Sequence, residues 1–457
     1  MSLLLIKNGT VVNANDKFEA DVLLEDDKII RIEKSIVLSE VSVKVIDAMG
    51  KYIIPGGIDP HVHLDLPTPA GNSSDDFYSG SRAALAGGTT TIIDFVTPSH
   101  GESLIKALHK RKEVAATSCI DYALHVGICW WDASLAAEIE YCIKHKGITS
   151  FKTYLAYKGS IGITYDELYD VMKVVARFNA TVTVHCEDGD KVAANQQQFF
   201  REGKTSVRFH ALSRPAEVEA DAVEKVLQMA AATECKVYLV HISAAKSMDI
   251  IHRYNNKKLR VETCPHYLVL NEKVYDSDNF ETAKYVMSPP LRSEKDNEVL
   301  WQQLAANHID TVATDHCPFN LIGQKDAGRH NFIRIPNGAG SIEYRTSLLF
   351  TYGVLSGKIS LCQWVALTSG NAAGIFGISN TKGSIEVGKD ADIVIWNPDK
   401  EKVISIENQF QHCDSNIYEG FQLKGLPETV ICKGKIAFEN DKLYTDGLKG
   451  EFLYRKI

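Results

Sequence analysis

The residues best placed to do chemistry together begin at Asp59-Pro60-His61-Val62-His63, where two histidines stand two apart at the end of an apolar run. In a β-strand, residues two apart point to the same side, so both imidazoles can meet one metal ion. Four more polar residues close later apolar runs: Lys152 in SFKTY, His185 in TVTVH, His241 in VYLVH and Asp315 in TVATD. One strand-end histidine alone reads equally well as a hydrogen-bonded structural residue. His61, His63, His185, His241 and Asp315 together point to a metal site. Lys152 is the odd member, because an ammonium beside divalent cations is repelled and poorly solvated. A buried lysine has a depressed pKa, and its neutral amine can add carbon dioxide to give a carbamate whose two oxygens bridge two metal ions. The competing reading is an outward-facing lysine paired with a carboxylate.

These residues need a scaffold that gathers strand ends from distant parts of the chain. Between the two ends of the sequence, apolar runs of four to seven residues alternate with longer amphipathic stretches such as residues 216–232 (AEVEADAVEKVLQMAAA), which is the βα pattern of a parallel sheet. Eight such runs begin near Ile58, Thr89, Asp121, Ser150, Thr181, Lys236, Lys258 and Thr311. Eight is the number that closes a (β/α)8 barrel, whose active site lies at the C-terminal ends of its strands. An open doubly wound sheet is the alternative. The first fifty residues instead read as short strands (3–7, 10–12, 21–25 and 29–32) broken by Asn-Gly, Asn-Asp and Asp-Asp, and residues 383–396 and 429–438 repeat that texture. Neither end alone has strands enough to close a sandwich. The expected architecture is therefore α/β, a TIM-like barrel over 55–375 with a small discontinuous β-sandwich from 1–54 and 376–457.

Composition narrows the function. The chain of 457 residues is 45% hydrophobic and 24% charged, ordinary for a globular protein. Its formal net charge of -8 offers no global attraction to nucleic acid or anionic lipid. The apolar opening at 3–6 is far shorter than an export signal or a membrane span requires. Ten cysteines occur without a C-x-x-C pair, which fits reduced thiols and a cytoplasmic location. The triplets at Asn8 and Asn179 are accordingly chance matches to a glycosylation signal.

Several segments together carry a family resemblance: PGGIDPHVHLDLP (55–67), SDDFYSGSRAALAGGTTTIIDF (74–95), FKTYLAYK (151–158), VHCED (184–188), HALSRP (210–215), VETCPHYL (261–268), SPPLR (288–292), ATDHCPFN (313–320) and PNG (336–338). Over essentially its whole length the sequence resembles the cyclic amidohydrolases, most closely their dihydropyrimidinase and D-hydantoinase branch. The resemblance implies that His61, His63 and Asp315 hold one zinc ion, that His185 and His241 hold a second, and that N6-carboxylated Lys152 bridges the two. It further implies that Tyr157 holds the substrate carbonyl oxygen, that Ser288 and Asn337 contact the cyclic amide largely through main-chain atoms, and that Asp315 is the general base and acid. The implied substrate is a small cyclic ureide or diamide, such as a dihydropyrimidine or a 5-substituted hydantoin, opened to an N-carbamoyl amino acid. A homotetramer built partly through the C-terminal segment is implied as well.

Three neighbours of that reading are distinguishable by sequence. Dihydroorotases carry an arginine two residues after the second histidine to bind a substrate carboxylate, and Asp65 stands there instead. Allantoinase is the closer rival, although its usual acidic-Pro-Gly stretch is replaced by Leu66-Pro67-Thr68. Noncatalytic interaction proteins of the same fold have lost metal ligands, and here every ligand position is filled. Ser243-Ala-Ala-Lys246 lacks the companion motifs of the β-lactamase class, and Gly87-Gly88-Thr89 lacks a nucleotide-binding pattern. His125, His266, His316 and Cys317 read as supporting or core residues, and Asp59 as a residue that orients a ligand histidine.

Overall fold

Eight apolar runs become eight parallel strands: β1 (Gly57–Val62), β2 (Thr89–Val96), β3 (Asp121–Gly127), β4 (Ser150–Tyr154), β5 (Thr181–His185), β6 (Lys236–Leu239), β7 (Leu259–Thr263) and β8 (Thr311–Val312). The computed structural model describes residues 2–38, 43–254, 256–277 and 279–457. The strands hydrogen-bond in sequence order from β1 to β8. A parallel bridge between Val62 and His316, with His63 N donating to His316 O at 2.8 Å, joins the last segment back to the first. That closure sets aside the open doubly wound alternative. Every residue of β1 to β4 is buried, as expected of strands covered on both faces. The helix expected over 216–232 spans Ala216–Thr233.

The two ends of the chain share one nine-stranded mixed sheet. Its junction is Tyr52–Pro55, which lies between Leu3–Val12 and Ile393–Val403 and pairs with the latter as Ile54 opposite Val394. The runs expected separately at 3–7 and 10–12 form one strand, Leu3–Val12. The Asn-Gly read as a break is a register shift within that strand, where Asn8 takes φ 62°. Alternate residues feed opposite sides: Leu4, Ile6, Val22 and Leu24 join one apolar cluster with Ile393, while Leu5 and Leu23 join another with Ile36.

Sheet and barrel are tied by a buried ion cluster. Lys382, 2% exposed at its side chain, lies 2.7 Å from Asp121 at the start of β3 and 3.0 Å from Asp390, and also pairs with Asp392. Removing the shared cation would leave Asp392 buried without a cation among the described residues, whereas Asp121 keeps Lys433 at 3.4 Å and Asp390 keeps Lys28. Lys382→Met is therefore expected to lower unfolding free energy by about 3–5 kcal/mol in a denaturant titration. A loss under about 1 kcal/mol, the range of exposed pairs, would contradict that role.

The C-terminal residues run along the barrel of the same chain. Tyr122 N donates to Glu451 O at 3.0 Å and Leu453 N to Tyr122 O at 2.7 Å. Leu453 packs on an apolar cluster that includes Ile58, Ile93, Ala123, Tyr238 and Phe376. Arg455, 1% exposed, donates to Ser150 Oγ at 2.9 Å. All ten cysteines are unpaired. No helix among the described residues is long and apolar enough to cross a membrane.

Candidate active site

The five strand-end groups and Lys152 meet at one mouth of the barrel. His61 lies in β1 with His63 just beyond it, Lys152 lies in β4, and His185 ends β5. His241 and Asp315 follow β6 and β8 by two and three residues. Both adopt left-handed backbone, φ 40° for His241 and 48° for Asp315, as does Tyr157 at 61°. Such conformations strain residues other than glycine and cluster where surroundings impose them for function.

Asp315 Oδ1 lies 3.2 Å from His61 Nε2 and 3.1 Å from His63 Nε2. Donor atoms of His61, His241 and Asp315 all fall within 4.8 Å of one another, a spacing that suits a shared cation. His185 Nδ1 and His241 Nε2 are 3.0 Å apart. Burial alone would raise the Asp315 carboxyl, but the imidazoles of His61, His63 and His241 outweigh it and hold the group well below the usual carboxylate range. Burial pulls His61 and His241 the other way, well below the ordinary imidazole value and toward the neutral form that ligates metal, with Asp315 opposing it.

Lys152 is wholly buried, and its Nζ has no hydrogen-bond partner among the described residues. Burial lowers its pKa to about 8. His61 Nε2 is similarly buried and makes no hydrogen bond among the described residues, although Asp315 Oδ1 lies 3.2 Å away. A buried amine with no hydrogen-bond partner, close to the imidazole ring and to the Asp315 carboxylate, fits the donor set of a metal centre.

Behind the ring lie carboxylates that sequence reasoning did not single out. His61 Nδ1 lies 2.7 Å from Glu262 Oε1, which also accepts His241 N at 3.0 Å, while Tyr238 Oη donates to Glu262 Oε2 at 2.7 Å. Donation from His61 Nδ1 leaves Nε2 as the lone pair facing Asp315. Burial raises the Glu262 carboxyl to about 8. His185 Nε2 lies 2.9 Å from Glu187 Oε2, which pairs with Arg214 at 2.5 Å. Burial would raise Glu187, but Arg214 and then His185 outweigh it and bring its pKa to about 2. An ionised Glu187 fixes the proton of His185 on Nε2 and frees Nδ1. Glu187→Gln is expected to weaken divalent metal affinity about 10–100-fold in a metal-buffer titration, and unchanged affinity would contradict this positioning role.

Asp59 acts through main chain rather than on a ring. It accepts His61 N and Thr314 N, both at 3.2 Å, and Thr314 Oγ1 at 2.6 Å, so it ties β1 to the segment bearing Asp315. His125 bridges Ser150 Oγ at 2.6 Å and Pro60 O at 3.0 Å, and His316 Nε2 meets Asp75 at 3.0 Å. Both support the strands that carry the ring. His266 is buried with both ring nitrogens unpartnered among the described residues.

The ring floors a cavity of about 720 Å³, whose lining includes Tyr157, Ser288 and Asn337. Its walls are largely apolar, with Leu66 and Pro67 after the histidine pair, Ile161 after β4, and Phe319, Ile333 and Ile335 from the segment after β8. Leu64 joins the buried core, and no sequence motif announces the wall at 333–335. Burial raises the Tyr157 phenol, with Arg214 opposing, so the hydroxyl stays protonated and able to donate.

Comparison with known proteins agrees with this arrangement. Residues 52–437 match the model of the Amidohydrolase family. The chain is 41% identical over 454 residues to a D-hydantoinase of Geobacillus stearothermophilus, covering 99% of this chain and 96% of that protein. It is 40% identical over 458 residues to a dihydropyrimidinase of Dictyostelium discoideum, covering 99% and 90%. The crystal structure of dihydropyrimidinase from Brevibacillus agri NCHU1002 superposes with a TM-score of 0.97 at 39% identity over 99% of both chains. With closed barrel, strand-end ring and full-length similarity in agreement, the chain belongs to the dihydropyrimidinase and D-hydantoinase family of the amidohydrolase superfamily and is a cyclic amidohydrolase of that type.

Proposed function

We propose that this enzyme uses two zinc ions to open the ring amide of a dihydropyrimidine or a 5-substituted hydantoin, giving an N-carbamoyl amino acid. His61, His63 and Asp315 would hold one ion, His185 and His241 the other, with carboxylated Lys152 between them. The observation that carries the reading is this ligand set at the base of an apolar-walled cavity. Ions bound there supply Lewis acidity and a water acidified toward neutral pH.

The chain's own groups do the rest. Asp315, held ionised by its imidazole neighbours, takes a proton from the attacking water and returns it to the leaving ring nitrogen, a base that becomes an acid within one turnover. Tyr157 donates a hydrogen bond to the developing oxyanion; such a donor typically contributes about 2.7–4 kcal/mol to lowering the barrier. Ser288 and Asn337 hold the ring amide edge. The apolar wall receives the ring substituent and excludes bulk water.

Dihydroorotate is disfavoured at Asp65, whose carboxylate accepts Asn72 Nδ2 at 2.7 Å and supplies no cation for an acidic substrate. Allantoin is the rival ring. We also propose a cytoplasmic homotetramer whose C-terminal segment contributes to assembly. Mass spectrometry of products from dihydrouracil, hydantoin, allantoin and dihydroorotate tests the substrate class. Carbamoyl-β-alanine or carbamoyl-glycine is expected at a rate at least about tenfold that of allantoate, a barrier difference of about 1.4 kcal/mol. Allantoate forming fastest would transfer the assignment to allantoinase.

A further inference from the structure

Lys325 is a third buried lysine, after Lys152 and Lys382, and lies outside the metal ring. It opens the short turn Lys325–Gly328 and is 1% exposed. Its Nζ donates to two main-chain carbonyls, Val286 O and Pro336 O, each at 3.0 Å. Burial dominates its titration, and the next influences are the thiols of Cys413 and Cys317 rather than carboxylates. Burying an ammonium without a counter-ion is costly, so what it grips is informative.

The two carbonyls belong to different segments, and each lies one or two residues from a residue that lines the cavity: Val286 precedes Ser288 by two, and Pro336 directly precedes Asn337. Gly338 N donates to Val286 O at 2.9 Å and closes the same seam. Gly338 has φ 145°, and a Cβ there would sit 2.2 Å from Cys317 O, so the seam admits no side chain. From another side His210 Nε2 meets Met287 O at 2.8 Å. A trans peptide points its N–H opposite to its carbonyl. Holding Pro336 O on Lys325 therefore turns Asn337 N–H away from the lysine, and holding Met287 O on His210 turns Ser288 N–H away from that imidazole. Asn337 N makes no main-chain hydrogen bond among the described residues.

We propose that Lys325 is a positioning residue for ring recognition: it clamps 286–288 and 336–338 into one frame, so that the peptide groups of Ser288 and Asn337 present a fixed hydrogen-bonding edge to the cyclic amide. This rests on the reading of Ser288 and Asn337 as ring contacts. The lysine is well suited to the task because one nitrogen supplies donors to both segments at once, and without it Pro336 O would lose this partner and be free to rotate its peptide group while Val286 O kept only Gly338 N.

The test compares wild-type holoenzyme with Lys325→Met and Lys325→Gln, using dihydrouracil. Lys325→Met is expected to raise KM at least about tenfold with kcat changed by less than about threefold, at unchanged zinc content. Amide hydrogen exchange of 286–288 and 336–338 is expected to speed up in the same variant. Lys325→Gln keeps a neutral donor but is too short to span both carbonyls; it is expected to lie between the two and serves as the readout if the methionine variant does not fold. Unchanged KM and unchanged exchange in the variants would overturn the proposal, as would a fall in kcat with zinc loss at constant KM. A wild-type enzyme that opens no ring would overturn the underlying substrate reading, whereas the exchange measurement would still decide whether Lys325 holds the frame.

Discussion

Lys152→Ala is expected to abolish most turnover, by at least about a thousandfold or 4 kcal/mol of barrier, and to bring metal content below two ions per chain. The expectation rests on an amine buried with no anionic partner among the described residues, which becomes useful to cations only as an anion. Alanine leaves room where the carbamate would lie, so a small carboxylate such as acetate or propionate is expected to restore part of the activity. The chemistry also gives a pH dependence. Burial lowers the pKa of Lys152 to about 8, so its neutral, carbon dioxide-accepting fraction grows as pH rises through that value. Metal-free protein supplied with zinc at a fixed concentration of dissolved carbon dioxide is expected to reactivate faster above about pH 8 than well below it. A carbamate signal from labelled bicarbonate, present in wild type and absent in the variant, identifies the group directly. A Lys152→Ala protein that keeps two ions and normal turnover would contradict the bridge.

The second large effect is at Asp315. Asp315→Asn keeps the shape of the side chain and removes its basicity, so kcat is expected to fall by about 10²–10⁴, the range of a lost general acid–base group. Asp315 Oδ1 also faces His61 Nε2 and His63 Nε2 within 3.2 Å, and metal affinity should weaken as well. The assay is therefore made with zinc in excess and bound zinc measured in parallel. A variant with a full complement of metal and wild-type kcat would remove Asp315 from proton transfer.

The strands that carry the site were legible because they are buried on both faces and hence written as uninterrupted apolar runs; all eight expected starts fall at or beside an observed strand. The convergence of His61, His63, Lys152, His185, His241 and Asp315 on one cavity was legible because a barrel brings strand ends together wherever they stand in sequence. The terminal sheet was harder. Asn8-Gly9 reads as a turn, yet it lies inside one strand because a left-handed asparagine followed by glycine makes a bulge as readily as a turn.

Supporting residues were the least legible. Glu262 sits in a strand whose apolar neighbours gave no reason to single it out, and its partners His61 and Tyr238 lie 201 and 24 residues away in sequence. Glu187 and Arg214 stand 27 residues apart and find each other only because β5 and the segment before Ala216–Thr233 share one end of the barrel. No local spacing encodes such pairs. Asp59 was noticed for its place beside the histidines, but its action through main chain on Thr314 depends on the barrel's closure.

The central claim is that metal held by this ring opens a cyclic amide. The most direct measurement removes the metal with a chelator and returns zinc in graded amounts, with bicarbonate present, while the ring-opened product of dihydrouracil is quantified. The account predicts no product from the metal-free protein and activity that rises to a plateau at about two zinc ions per chain, as a two-metal site requires. Full turnover by metal-free protein, or two bound ions without ring opening of any cyclic ureide, would contradict it.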